Sequence, residues 1–199
     1  MYIDNILIYY LYFGVGMGGF MMIVLKGIGN PLLTFFTNHY TLSDYQGSFH
    51  WDGAKTKAYL TSIMENFHSD PMTDYTLGYV FLNDQRISDG CHRVTILFFL
   101  LQHLYQVAVQ HHWDWSRQIA PLITNHEESF HQYLHNSASM HLQPYSSRHE
   151  TFPLISDIAN PPIFDLHPLI AKVIDDHLAK SDYPSFTQWI LHHGILTVV

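Results

Sequence analysis

The residues with the clearest chemical meaning stand together at positions 89–93, in the order Asp-Gly-Cys-His-Arg. Residues 86–88 before them are typical of a strand, and the long apolar run after them is typical of a buried helix. The first N–H groups of a helix have no partner inside the helix, and the positive end of its dipole lies there. Gly90 lets a ligand approach the backbone, while His92 and Arg93 add side-chain donors. The pattern therefore predicts a small anion site at the start of this helix.

Cys91 is the single cysteine of the chain, which excludes an internal disulfide and a cysteine-rich zinc site. Two hypotheses for its role stay open. At the positive end of a helix dipole the thiol should have a lowered pKa, which would make Cys91 a candidate nucleophile. Alternatively, Cys91 packs as a small apolar side chain and Arg93 makes an ordinary ion pair.

The Asp-Gly-Cys-His-Arg segment resembles the signature of the ParB/sulfiredoxin superfamily. Sulfiredoxins carry Gly-Gly-Cys-His-Arg at a strand-to-helix turn. Relatives linked to restriction and DNA modification carry Asp-Gly-Gln-Gln-Arg or Asp-Gly-Gln-His-Arg there. The chain lies between the two types.

Three upstream segments extend the resemblance. Asp52-Gly-Ala-Lys55 is similar to the sulfiredoxin helix that begins Asp-Pro-Ala-Lys. Residues 44–51, DYQGSFHW, resemble the Tyr-Gln-Arg-Pro-Tyr-x-Trp segment of the restriction-type branch. The YTLG sequence at 75–78 resembles the Tyr-x-Leu-Gly strand of that branch. The resemblance thus covers the middle part of the chain, with the order helix, strand, turn, strand and buried helix.

The resemblance implies a ligand and a role for each matching residue. The ligand is ATP or another nucleotide, with or without Mg²⁺. Gly90, His92 and Arg93 would hold its phosphates, and Lys55 matches a lysine that contacts the nucleotide. Cys91 matches the sulfiredoxin nucleophile that relays phosphate to a sulfinic acid.

The chain also departs from the pattern of these relatives. Gln46-Gly47-Ser48 stands where relatives carry an arginine, which puts full catalytic competence in question. Asp89 replaces the first glycine of the sulfiredoxin motif and favours the Asp-Gly branch, in which Gln occupies the position of Cys91. Kinase members of the superfamily use a carboxylate base, for which Asp89 and Glu65 are the candidates here.

The elements that must position these residues divide the chain into three parts, 1–36, 37–110 and 111–199. The middle part predicts a helix over 53–67 capped by Asp52, strands over 75–82 and 86–88, and a helix over 91–110. The fold class is α+β. It comprises a small ParB/sulfiredoxin-like core with a short mixed sheet, a mostly helical C-terminal part, and an apolar N-terminal helix or hairpin.

The N-terminal part contains a run at 6–25 without any charged residue. A helix of this length would span a bilayer core of about 30 Å, so a membrane helix is one alternative. The other is a buried hairpin or helix whose turn falls at the glycines Gly14, Gly16, Gly18 and Gly19. The protein would be cytoplasmic, with membrane association through this segment left open.

The C-terminal part is dense in histidine and is broken by prolines at 153 and 161–162. His131 and His135 share a helix face with Glu127 or Glu128 one turn earlier, but the spacing is not that of a zinc helix, and we predict no metal site. Residues 166–178 predict an amphipathic helix. The last residues, ILTVV, predict either a short strand or a frayed tail.

The charge balance limits the functions open to the chain. A formal net charge of -8 argues against an extended nucleic-acid surface. Three hypotheses remain. They are a nucleotide-using phosphotransferase or hydrolase, a non-catalytic nucleotide-sensing or interaction module in phage defence or anti-defence with a protein partner, and a membrane-tethered helical protein whose motif match is accidental.

Overall fold

The computed structural model describes residues 6–15, 19–42, 49, 51–142 and 166–199. Their strands and helices in chain order are β1 Ile6–Val15, β2 Gly19–Pro31, α1 Leu32–Thr37, β3 Thr41–Leu42, α2 Gly53–Ser69, β4 Tyr75–Asn83, β5 Arg86–Asp89, α3 Cys91–Gln110, α4 Ser116–Thr124, α5 Glu127–Leu142, α6 Leu166–His177, α7 Tyr183–His193 and β6 Gly194–Val198. A one-turn 3-10 helix at Lys180–Asp182 precedes α7.

The six strands form one mixed sheet in the order β1-β2-β6-β4-β5-β3. β4 pairs with β6 in parallel, and β3 pairs with β5 in parallel. The other three pairings are antiparallel. A mixed sheet with helices packed on it is the predicted α+β class, and strands from all three predicted parts of the chain contribute to it.

The apolar N-terminal run forms a β-hairpin. β1 pairs with β2 in an antiparallel register from Ile6 opposite Ile28 to Val15 opposite Gly19. Strand pairing of this kind is what the hairpin alternative predicts, and membrane association of the segment stays a prediction. Gly16 and Gly18, where the sequence predicts the turn, lie outside the described residues. In the part of the chain that the structure describes, no helix has the length and apolar character needed to cross a bilayer.

The central elements lie where the sequence predicts them. Asp52 caps α2, because its side chain accepts the Lys55 N–H at 2.7 Å. β4 and β5 enclose a turn at Asp84, whose φ of 57° is in the left-handed region. α3 begins at Cys91 and ends at Gln110, as the apolar run predicts.

α3 lies at the centre of the hydrophobic core. Residues 94–101 of this helix are all buried, as expected for a helix that is apolar on nearly every face. Phe98 stacks on Phe130 of α5 with ring centroids 4.5 Å apart. α3 also packs against α4 and α6, so packing on several sides positions its first turn.

The C-terminal residues form β6, which lies inside the sheet between β2 and β4. The strand alternative is therefore confirmed and the frayed-tail alternative is wrong. Leu196 is fully buried, and the backbone of Val199 exchanges hydrogen bonds with Val80 and Leu82. The predicted helix at 166–178 is confirmed as α6.

Histidine in the C-terminal part forms no metal cluster within the described residues. His131 Nε2 lies 3.8 Å from Glu127 Oε1 in an exposed pair one helical turn apart. The side chain of His135 and the prolines at 153 and 161–162 lie outside the described part of the chain.

The stability of the protein should fall as the pH falls through the range of histidine titration. Burial lowers the pKa of His103, His126 and His167, and Asp175 only partly opposes this for His103. In the unfolded chain these groups titrate near 6.5, so between about pH 7 and their lower folded pKa values the unfolded state binds more protons. The free energy of unfolding therefore has its full value above about pH 7 and decreases as the pH falls below that.

Urea unfolding at about pH 7.5, 6.5 and 5.5 measures this slope. His126 Nε2 lies 3.0 Å from the Phe36 carbonyl oxygen, which a neutral imidazole N–H donates to. His126→Gln keeps an amide donor without a titrating group, so this variant should show a shallower slope. A free energy of unfolding that stays constant or rises towards pH 5.5 would contradict the expectation.

Candidate functional site

The turn between β5 and α3 requires glycine at position 90. Gly90 has φ 91° and ψ 2°, in the left-handed region, and it is the N-cap of α3. A Cβ at this position would lie 2.5 Å from the carbonyl oxygen of Tyr79 in β4. The Gly90 carbonyl accepts the first helical bond from Val94 N–H, and Gly90 N–H donates to Asp89 Oδ1 at 2.6 Å. A side chain at position 90 would therefore clash with β4, so the turn requires glycine. Asp89 stabilises the turn with one carboxylate oxygen.

Cys91 is buried at the first turn of α3, with 3% of its surface exposed. Its Sγ lies 3.3 Å from Tyr133 Oη of α5 and 3.5 Å from His92 Nδ1. Burial raises the pKa of the Cys91 thiol, and hydrogen bonds from Tyr133 and from the His92 backbone oppose this only in part. The expectation of a lowered pKa is therefore wrong, because burial of the thiol has the largest effect.

The side chain of Arg93 lies across β4 and reaches the indole ring of Trp51. Its Nη1 is 3.5 Å from the Tyr79 carbonyl oxygen, and its guanidinium carbon is 5.9 Å from the ring centroid of Trp51. No carboxylate among the described residues lies within ion-pair distance of Arg93. The hypothesis of an ordinary ion pair for Arg93 thus finds no partner within that part of the chain and stays a prediction for the rest.

Trp51 brings the predicted nucleotide-binding side chains together. Lys55 Nζ lies 4.7 Å from its ring centroid, in cation–π contact. The His92 ring stacks on the indole with a centroid distance of 6.1 Å and an interplanar angle of 13°. Lys55, His92 and Arg93 thus meet at one buried ring, although they come from two helices.

The same ring joins the beginnings of α2 and α3. Trp51 directly precedes the α2 cap Asp52, and Lys55 lies in the first turn of α2. His92 and Arg93 lie in the first turn of α3. Side chains from the first turns of two helices therefore meet at one ring, and two of them, Lys55 and Arg93, are cations that favour an anion. Sequence reasoning missed the role of Trp51, and the signal that could have revealed it is its position one residue before a predicted N-cap.

The structure separates the two candidate carboxylate bases. Asp89 is adjacent to the turn, and its charge contributes to the raised pKa of the Cys91 thiol. Glu65 lies on α2 about 15 Å along the helix axis from Lys55, at a rise of roughly 1.5 Å per residue. Of the two, only Asp89 lies beside the first turn of α3. The departure at Gln46-Gly47-Ser48 lies outside the described residues.

Comparisons with known proteins assign no family to the chain. Neither a scan against protein-family models nor a search of curated proteins finds a match. The site is defined by its own geometry, namely a left-handed glycine cap at the start of α3 and two cations on one indole.

Proposed function

We propose that the protein binds ATP or a related nucleotide at the start of α3 and transfers or hydrolyses phosphate, as an enzyme of the ParB/sulfiredoxin type. One observation carries this proposal. Lys55 and Arg93 come from different helices, lie within about 6 Å of the Trp51 centroid, and have no carboxylate partner among the described residues.

Phosphate is the anion that suits this arrangement. Arginine presents several donors in a planar fork, lysine adds a point charge, and a helix N-terminus adds a positive dipole end. Such a site needs few basic residues, so it is compatible with a net charge of -8. The same net charge does not support binding along an extended nucleic acid.

Asp89 is the carboxylate best placed to act as a base on a substrate hydroxyl or a water. One of its oxygens accepts from Gly90 N–H, which holds the group at the turn. If Mg²⁺ accompanies the nucleotide, the phosphates and the Asp89 carboxylate supply the oxygen ligands that this cation prefers. We assign Cys91 a packing role, because its thiol is buried against Tyr133 and its pKa is raised.

A second candidate function is nucleotide sensing without turnover, with a protein partner in phage defence or anti-defence. Two observations favour it. The only cysteine is buried with a raised pKa, and Asp89 has one carboxylate oxygen bonded within the turn. The raised pKa reduces the reactivity of Cys91, and the hydrogen bond reduces that of Asp89. Lys55 and Arg93 are unaffected by either feature and can still bind phosphate.

Calorimetric titration of the full chain with ATP tests the proposal. Arg93→Ala should weaken binding by about 10-fold or more, since a hydrogen bond to a charged group contributes roughly 1.5–3 kcal/mol. Arg86→Ala is the matched control, because Arg86 is an exposed arginine on β5 away from the Trp51 ring. The affinity of this variant for ATP should equal that of the wild type. An Arg93→Ala variant that binds ATP as tightly as the wild type would contradict the proposal.

The same samples decide between turnover and sensing. Phosphorus NMR of ATP incubated with the protein should show product if the chain is an enzyme, and unchanged ATP with retained binding would favour the sensing function. Cys91→Ser should leave both binding and turnover nearly unchanged. Loss of turnover in this variant with binding intact would instead assign Cys91 as the nucleophile.

A further inference from the structure

β4 is irregular where it passes the candidate site. Gly78 has φ 122°, a conformation that favours glycine, and the pairing of β4 with β6 shifts register between Thr76 and Gly78. Glycine inside a strand commonly marks a bulge or the close approach of another group. In β4 the positive φ and the register shift both occur at Gly78.

The group that approaches Gly78 is the side chain of Arg93. A Cβ at position 78 would lie 2.7 Å from Arg93 Cδ and 2.9 Å from its Nε. The aliphatic part of Arg93 therefore lies directly on the bare backbone of Gly78. From there the guanidinium reaches the Tyr79 carbonyl and the Trp51 ring.

Helix α2 holds the bulge and the indole in the same place. Tyr59 Oη donates to the Leu77 carbonyl oxygen at 2.8 Å, and the Tyr59 ring packs edge-on against Trp51 with centroids 5.5 Å apart. Burial raises the pKa of Tyr59, and the Arg93 charge partly opposes this. The bulge, Tyr59, Trp51 and Arg93 thus form one packed unit.

We propose that Gly78 is a positioning residue for the candidate site. The absence of a side chain at position 78 lets Arg93 lie flat across β4, so that its guanidinium sits beside Trp51 and shares that ring with Lys55. A methyl group at this position would push the Arg93 stem away from the strand and move the guanidinium from the ring. The ligand part of this inference rests on the proposed nucleotide binding, whereas the effect on Arg93 does not.

A double-mutant cycle with Arg93→Ala tests the inference. Gly78→Ala should weaken ATP binding of the full chain nearly as much as Arg93→Ala does, by about 10-fold. In the Arg93→Ala background, Gly78→Ala should cause no further loss, because the displaced group is already gone. Gly53→Ala is the matched control for folding, since its Cβ would meet only Leu169 Cδ2 at 3.6 Å, and Arg86→Ala is again the control for affinity. Wild-type affinity for Gly78→Ala, or additive losses in the double variant, would overturn the inference.

Unfolding measurements on the same four proteins separate this inference from the proposed function. If Arg93 occupies the space that a Cβ would need, Gly78→Ala should lower the urea midpoint less in the Arg93→Ala background than in the wild type. If Gly78→Ala alone does not fold, the double variant should recover folding. An equal loss in both backgrounds would show that only the φ angle requires glycine, and would overturn the inference. A wild type that binds no ATP would overturn the proposed function, while this cycle would still decide whether Gly78 positions Arg93.

Discussion

Replacement of Gly90 by alanine is expected to lower the free energy of unfolding by at least about 2 kcal/mol, the cost of a strained backbone combined with a steric clash. The residue has φ 91°, and the new Cβ would lie 2.5 Å from the Tyr79 carbonyl oxygen. That oxygen belongs to the backbone of a paired strand and cannot rotate away as the end of a flexible side chain would. Urea unfolding of the two proteins at neutral pH measures the difference.

Gly53→Ala serves as the control for the Gly90 prediction. Gly53 is the first residue of α2, where alanine is favourable and the added Cβ has ordinary contact distances. Its stability should equal or exceed that of the wild type. If Gly90→Ala is also as stable as the wild type, the close approach of the β5–α3 turn to β4 is not as described.

The second large effect is expected at the C-terminal strand. Leu196→Asp should lower the free energy of unfolding by about 4 kcal/mol or more, because it places an unpaired charge at a fully buried position of β6. A loss of this size is a large share of the 5–15 kcal/mol or so that stabilises a typical domain. A large fraction of the molecules should therefore be unfolded at about 37 °C. Near-ultraviolet circular dichroism should show this as a loss of signal.

Met72→Asp makes the same type of change on the surface, since Met72 is 81% exposed. Its effect should be within about 0.5 kcal/mol of zero. If Leu196→Asp is equally well tolerated, the C-terminal residues do not form an internal strand of the sheet.

The elements defined by local patterns could be predicted from the sequence. Asp52 gives the start of α2, and the apolar run after Gly90 gives the full length of α3. The aromatic and β-branched residues of β4 and its turn to β5 are equally local signals. In each case neighbouring residues supply the decisive interactions.

Elements that depend on distant partners left alternatives open. The final ILTVV could be a strand or a tail until its pairing with β2 and β4 was known, and both partners are far away in sequence. The run at 6–25 has a length that suits either one long helix or two strands around a glycine turn. Only its pairing with itself, from Ile6 opposite Ile28, distinguishes the two.

At the candidate site, proximity along the chain was easier to predict than the contact between distant segments. His92, Arg93 and Lys55 surround one ring, but that ring, Trp51, has no motif of its own. The sequence predicted a lowered pKa for the Cys91 thiol, whereas burial in the core raises it and the hydrogen bond from Tyr133 opposes this only in part. Helix dipoles can be inferred from sequence position, whereas desolvation depends on tertiary packing.

The central claim is that a nucleotide phosphate binds at the first turn of α3, and a crystal structure of the full chain with ATP tests it most directly. We predict a phosphate group at the N-terminus of α3, within hydrogen-bond distance of Arg93 and close to Lys55. ATP bound elsewhere, or an unchanged first turn of α3 in crystals grown with saturating ATP, would contradict the claim.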